Sequence, residues 1–119
     1  MIIAARYSFN GGAEVVKTKY PHLLAEVEAA IAAVSAEEHR IKESKEKTMK
    51  GQLLYSPIAL NKTIKGPLFA QGWVNHRVDC QYSAEYYTPE YTAAVTENVG
   101  FRDMDFVKEK LGVEVQFGK

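Results

Sequence analysis

Thiol chemistry is nearly absent from this chain, since Cys80 is its one cysteine and no internal disulfide can form. His22, His39 and His76 are scattered, so with a single thiol there is no zinc-ligand spacing. A reducing cytosol is the simple expectation. Long apolar runs are missing as well. No stretch approaches the roughly 18–20 apolar residues that span a bilayer, and Met1 to Asn10 lack a basic start followed by an apolar run. The chain is therefore expected to be untargeted and cytoplasmic. Neither sign of charge dominates: 15 basic and 15 acidic residues cancel. That balance neither supports nor excludes nucleic acid, because local clustering matters more than the sum. Repeats, low-complexity stretches and linker-like segments are also absent.

What remains is an ordinary globular composition, with 46% hydrophobic and 11% aromatic residues in a chain of 119. That length suits one domain or part of one, with a real core and modest stability. Ile2 to Phe9 reads as a short strand closed by Asn10-Gly11-Gly12. From Ala13 the pattern turns helical, with Leu23, Leu24, Val27, Ile31 and Val34 recurring at three- and four-residue steps. Pro21 favours a helix start, so two helical pieces are expected to meet near Tyr20. Gln52 to Tyr55 reads as a short extended piece. Ser56-Pro57 reads as an N-cap and first helical residue, opening a helix to about Lys65 that Gly66-Pro67 interrupts. Trp73 to Tyr82 is an expected strand with Val74, Val78 and Cys80 on one face. Tyr82, Tyr86, Tyr87 and Tyr91 then surround Pro89. Such tyrosines can stack nucleobases, but they more often pack against a domain's flank. The whole reads as mixed α and β.

The last stretch carries the chemistry. In Val113-Glu114-Val115-Gln116-Phe117, strand alternation puts Glu114 and Gln116 on one face and the apolar residues on the other. Asp105 lies nine residues before Glu114, far enough for a turn to bring the two carboxylates together. Two such groups held close repel unless a cation sits between them. A hard divalent ion suits oxygen ligands, and magnesium takes one or two carboxylates plus phosphate oxygens. Such an ion would polarise a phosphodiester and acidify an attacking water, while the Gln116 amide can orient the water or touch the phosphate. This is the D…E-x-Q form of a nuclease pattern whose third residue is commonly lysine. Alone it is a weak signal, and the competing reading is a solvated hairpin.

The upstream sequence makes it more specific. Glu43-Ser44-Lys45-Glu46-Lys47-Thr48, Gly51-Gln52-Leu53-Leu54-Tyr55-Ser56-Pro57, Ala59-Leu60-Asn61 and Gly72-Trp73 appear in order. Asp105-Phe106-Val107-Lys108 and Glu114-Val115-Gln116-Phe117-Gly118-Lys119 follow them. Together they resemble the BglII/BstYI group of type II restriction endonucleases, over most of the chain and most weakly from Val74 to Arg102. The resemblance implies an α/β, restriction-endonuclease-like core, with a central mixed sheet flanked by helices. It implies a homodimer in a prokaryotic cytoplasm, partnered functionally by a DNA methyltransferase. Its expected activity is Mg²⁺-dependent cutting of palindromic, GATC-centred double-stranded DNA to leave 5′-phosphate ends. Asp105 and Glu114 match the metal-binding carboxylates and Gln116 the third active-site residue. Lys119 falls where base contacts begin in the major groove, with an ordinary solvated lysine as its competing reading.

Two matters stay open in the sequence. The run from His39 to Lys50 is either a solvated helix face, with Glu43 and Lys47 as an i, i+4 pair, or a phosphate-holding segment built from Lys45, Lys47 and Lys50. Either Glu43 or Glu46 could instead serve the metal site, which spacing does not decide. The resembling enzymes also continue past the E-x-Q strand, so residues 1–119 are expected to be the N-terminal portion of a single endonuclease domain. An inert DNA-binding fragment and a small α+β interaction module are the alternatives.

Overall fold

The computed structural model describes residues 1–81, 84–92 and 99–117. Among the described residues, three α-helices and two small antiparallel sheets make a mixed α+β fold. Helices α1 (Gly12–Lys19) and α2 (Pro21–Ala32) meet at Tyr20, as expected. Pro21 lacks the N–H that would continue α1, and Tyr20 leaves helical geometry at φ −131° and ψ 39°. Helix α2 buries Leu23 and Ala30, and Val34 follows just beyond its end.

Residues 2–9 differ from expectation, since they form no strand. Their apolar side chains find no sheet to join, and Ile2, Tyr7 and Phe9 stay exposed. A β pattern without a partner strand supplies no ladder hydrogen bonds, and tertiary context decides such segments.

Helix α3 (Pro57–Ala70) starts as expected, with Ser56 Oγ accepting from the Ala59 N–H at 3.3 Å. It runs past Pro67 instead of stopping near Lys65. Leu60, Ile64 and Leu68 are buried at four-residue spacing, so packing of the last turn outweighs the hydrogen bond that proline removes. The true stop is Gly72, at φ 88°. Its N–H donates to the Phe69 carbonyl at 3.0 Å and the Trp73 N–H to the Leu68 carbonyl at 3.1 Å, the paired bonds of a Schellman ending. That ending turns Trp73 straight into the core, where it is 1% exposed.

Between the helices, β1 (Lys42–Glu43) pairs with β2 (Leu53–Leu54). The segment from His39 to Lys50 is thus a hairpin with a broad loop, so Glu43 and Lys47 are not neighbours on a helix. Buried Ser44 organises the loop: its N–H donates to the Gln52 carbonyl at 2.9 Å, and its Oγ accepts from the Glu46 N–H at 3.3 Å.

The second sheet is ordered β3 (Val74–Gln81), β4 (Val99–Lys108), β5 (Leu111–Val113). Strands β4 and β5 join through Glu109-Lys110, with Glu109 in the left-handed region at φ 55°. Strand β3 pairs with β4 from Val74↔Val107 to Gln81↔Val99, but the register slips between Val74 and His76. There Asn75 faces both Asp105 and Phe106, which is a β-bulge on β4. Phe106 reaches the core and meets Phe69 edge-on, with ring centroids 5.9 Å apart.

One polar knot ties these layers. The Glu26 carboxylate on α2 accepts from Trp73 Nε1 at 2.7 Å and from Lys108 Nζ at 2.7 and 2.8 Å. The Lys108 and Trp73 hydrogen bonds hold the Glu26 carboxyl below its ordinary value, against a smaller upward push from reduced hydration.

Candidate active site

Residues 113–117 alternate as their sequence requires. Val113, Val115 and Phe117 pack against the core while Glu114 and Gln116 are exposed. Ladder pairing ends at Phe106↔Val113, so the E-x-Q segment leaves the sheet sooner than a full strand would. Its link to β4 is then made by a side chain: Asp105 Oδ2 accepts from the Val115 N–H at 2.9 Å.

That bond fixes Asp105 beside Glu114. The two carboxyls are near enough for the Asp105 charge to act on Glu114. The Glu114 carboxyl sits above the ordinary glutamate value. Reduced hydration is the first cause, followed by the Asp105 charge and, more weakly, Asp103; the Asp105 backbone pulls the other way. Because Glu114 remains exposed, the like charge of Asp105 is the contribution that a bound cation would remove. The bulge at Asp105 suits this placement, since bulges bend a strand and re-aim the side chains they carry.

Two neighbouring carboxylates fit a small, hard divalent cation that completes its shell with water and phosphate oxygens. The described residues contain no cluster of three or more His, Cys, Asp or Glu able to hold a metal without such outside oxygens. Gln116, two residues from Glu114, is exposed on the same side of the extended segment.

The basic residues fall elsewhere. Lys45, Lys47 and Lys50 are exposed on the loop between β1 and β2, and among the described residues no ion pair engages them. Glu43 and Glu46 are exposed on the same hairpin and do not join the Asp105–Glu114 pair. Lys119 and Tyr82 lie outside the described residues. Tyr87 and Tyr91 meet edge-on, with ring centroids 5.0 Å apart, while Tyr86 stays exposed.

Two features of the site were not anticipated from sequence. Asp103 adds charge near Glu114, a role hinted at only by its two-residue spacing from Asp105. The Val115 N–H to Asp105 bond depends on a bulge that no residue pattern announces. No helix among the described residues is long and apolar enough to cross a membrane.

Among curated proteins, none matches this chain. The family model for the restriction endonuclease BglII/BglIII matches residues 4–119, almost the whole sequence and including both carboxylates. The chain belongs to the BglII/BglIII family of restriction endonucleases, nucleases that hydrolyse DNA at specific sites.

Proposed function

We propose that Asp105, Glu114 and Gln116 are the catalytic residues of a Mg²⁺-dependent type II endonuclease acting on palindromic, GATC-centred duplex DNA. The observation carrying this reading is the Val115 N–H bond that places the Asp105 carboxylate beside Glu114, where the like charges repel and a shared cation would relieve them. Asp105 and Glu114 would hold the ion, with Val115 N–H steadying Asp105. When bound, magnesium supplies Lewis acidity to the phosphoryl oxygen and lowers the pKa of water. The neutral Gln116 amide cannot take a proton as a base. It donates to the scissile phosphate or accepts from the attacking water, and so orients one or the other. In-line attack breaks the bond to the 3′ oxygen and leaves 5′-phosphate ends.

Lys45, Lys47 and Lys50 serve this reading as backbone contacts, because exposed lysines on a hairpin can neutralise phosphates without reading sequence. Lys119 would contact bases in the major groove. Cutting both strands of a palindrome calls for two such sites related by a two-fold axis, hence a homodimer. A cognate methyltransferase would protect the host DNA in the same cytoplasm.

The test is plasmid cleavage with and without magnesium chloride, with end sequencing of any product. Cleavage is expected only with the metal, and is abolished in Asp105→Ala and in Glu114→Ala while both variants keep the wild-type circular dichroism spectrum. Unchanged cutting by Glu114→Ala would sink the site assignment, and ends not centred on GATC would sink the sequence assignment.

A further inference from the structure

Side chains on the β3–β4 ribbon divide into two unlike faces. A Cβ at Gly112 would meet Met104 Sδ and Cε at 3.2 Å, so Met104 lies against the side of β5 that Gly112 presents. That side faces away from the core, because the flanking Leu111 and Val113 both pack inward. By alternation Glu114 lies on the same outer side as Gly112, in keeping with its exposure. Met104 pairs with His76, and Arg102, two residues before Met104, pairs with Val78. Arg102, His76 and Val78 therefore continue the face that bears Glu114. On the other face Arg77 pairs with Asp103, stacks over the Phe101 ring at 3.9 Å and bonds Asp79 through Nε at 3.0 Å.

The charges sort the same way. Arg77 and Asp79 satisfy one another on the inner face of the ribbon, where Asp103 also lies. On the outer face, Arg102 and His76 are exposed, and among the described strand residues no carboxylate lies between them and the Asp105–Glu114 pair. Among the described residues neither makes an ion pair. Arg102 is three residues from Asp105, about 10 Å along a strand, close to the axial rise of roughly three base pairs.

We infer that the outer face of this ribbon is a DNA track, on which Arg102 and His76 hold backbone phosphates flanking the bond that the carboxylate pair addresses. The occupant is a duplex, since a two-stranded ribbon fits the major groove, the Arg102 guanidinium complements phosphate and the His76 ring can donate a hydrogen bond to it. Small neutral residues at Val78 and Gly100 leave room for the backbone to approach. The opposite face, carrying Asp79 and Asp103, repels the same ligand. This inference rests on the nuclease reading for the identity of the partner, but it concerns binding and not cutting.

The experiment is fluorescence anisotropy of a labelled duplex titrated with the full chain in EDTA, across a series of KCl concentrations. Removing one charge that neutralises a phosphate reduces the steepness of log K against log salt by about 0.9. Arg102→Ala should therefore reduce it by about one per chain, and about two for a dimer on one duplex. Arg102→Lys keeps most of the slope, His76→Ala weakens binding a few-fold, and Arg77→Ala on the other face leaves the slope unchanged. All of these positions are exposed, and unfolding midpoints confirm that each variant folds. A wild-type slope in Arg102→Ala, or an equal reduction in Arg77→Ala, overturns the track. Magnesium-dependent cleavage by the same protein, assayed separately with magnesium chloride in place of EDTA, would leave the nuclease reading standing. Conversely, an Arg102-dependent slope without any cleavage supports the track and removes the nuclease reading. Failure of the wild type to bind any duplex removes both.

Discussion

The base of the molecule and the ribbon that rises from it obey different rules. In the base, α2, α3 and the foot of β4 close around Leu23, Leu68, Trp73 and Phe106, each no more than 1% exposed. Along the ribbon, Val74, Val78 and Phe101 are about half exposed, and the ladder between β3 and β4 is its main support. The chain's radius of gyration is 19.5 Å. A compact chain of this length would have about 13–14 Å. The base is held by burial of apolar surface, whereas the ribbon depends on its ladder hydrogen bonds. The carboxylate pair sits at the junction, where β4 bulges and β5 ends. A site placed there gains a fixed floor from the core and an open front for a large substrate.

The sharpest way to break this comparison is Trp73→Ala. It removes the largest buried side chain and one of the two donors that hold the Glu26 carboxylate. Truncation of this kind costs about 3–5 kcal/mol, a large share of the stability of a small domain. Urea unfolding should show the full loss. A cost below about 1 kcal/mol would mean that the base is not the stabilising unit.

A smaller effect should separate the polar knot from the apolar core. The folded Glu26 carboxyl is depressed, first by Lys108 and then by Trp73. Its stabilisation is therefore present above the pKa of an unfolded glutamate and lost as pH falls through the lower, folded value. Thermal melts of wild type and Glu26→Gln should differ at neutral pH and converge in acid. Parallel curves at every pH would show that packing, and not charge, is what Glu26 supplies.

Glu114 has the opposite sign. Its raised carboxyl contributes stability below the unfolded glutamate pKa and loses it as pH rises through the higher, folded value. Glu114→Gln should thus melt slightly higher than wild type at neutral pH and together with it in acid, and on the proposed function it should not cut DNA. Millimolar magnesium should raise the wild-type melting temperature at neutral pH, and not that of the variant. Such an exchange of stability for function is ordinary at catalytic sites.

Much of this was legible in the residues, for identifiable reasons. The break at Tyr20-Pro21 and the start at Ser56-Pro57 depend on local backbone chemistry, which sequence displays directly. The inward and outward alternation of residues 113–117 needs only the pleat. Elsewhere distant packing decided. Pro67 stays inside α3 because Leu68 is buried, and 2–9 forms no strand because nothing pairs with it. The run from His39 to Lys50 carries helix-like charge spacing, yet Ser44 and the β1–β2 pairing fold it as a hairpin. At the site, the residues Asp105 and Glu114 were visible in the sequence pattern, whereas the bulge and the Val115 bond that join them depend on register, which single residues do not encode.

The smallest expected effect bears on the ribbon itself. Val78 is 48% exposed on the outer face, opposite Arg102. A half-exposed methyl pair contributes little burial, so Val78→Ala should change stability by no more than about 0.5 kcal/mol. The substitution keeps every ladder hydrogen bond and alters neither charge nor turn. A loss several times larger, measured at high dilution by urea unfolding, would mean that this face is packed within the single chain. A loss that emerges only as protein concentration rises would mean that a second copy covers it. Either result would return the ribbon to the same physics as the base, and the outer face would no longer be open to a duplex.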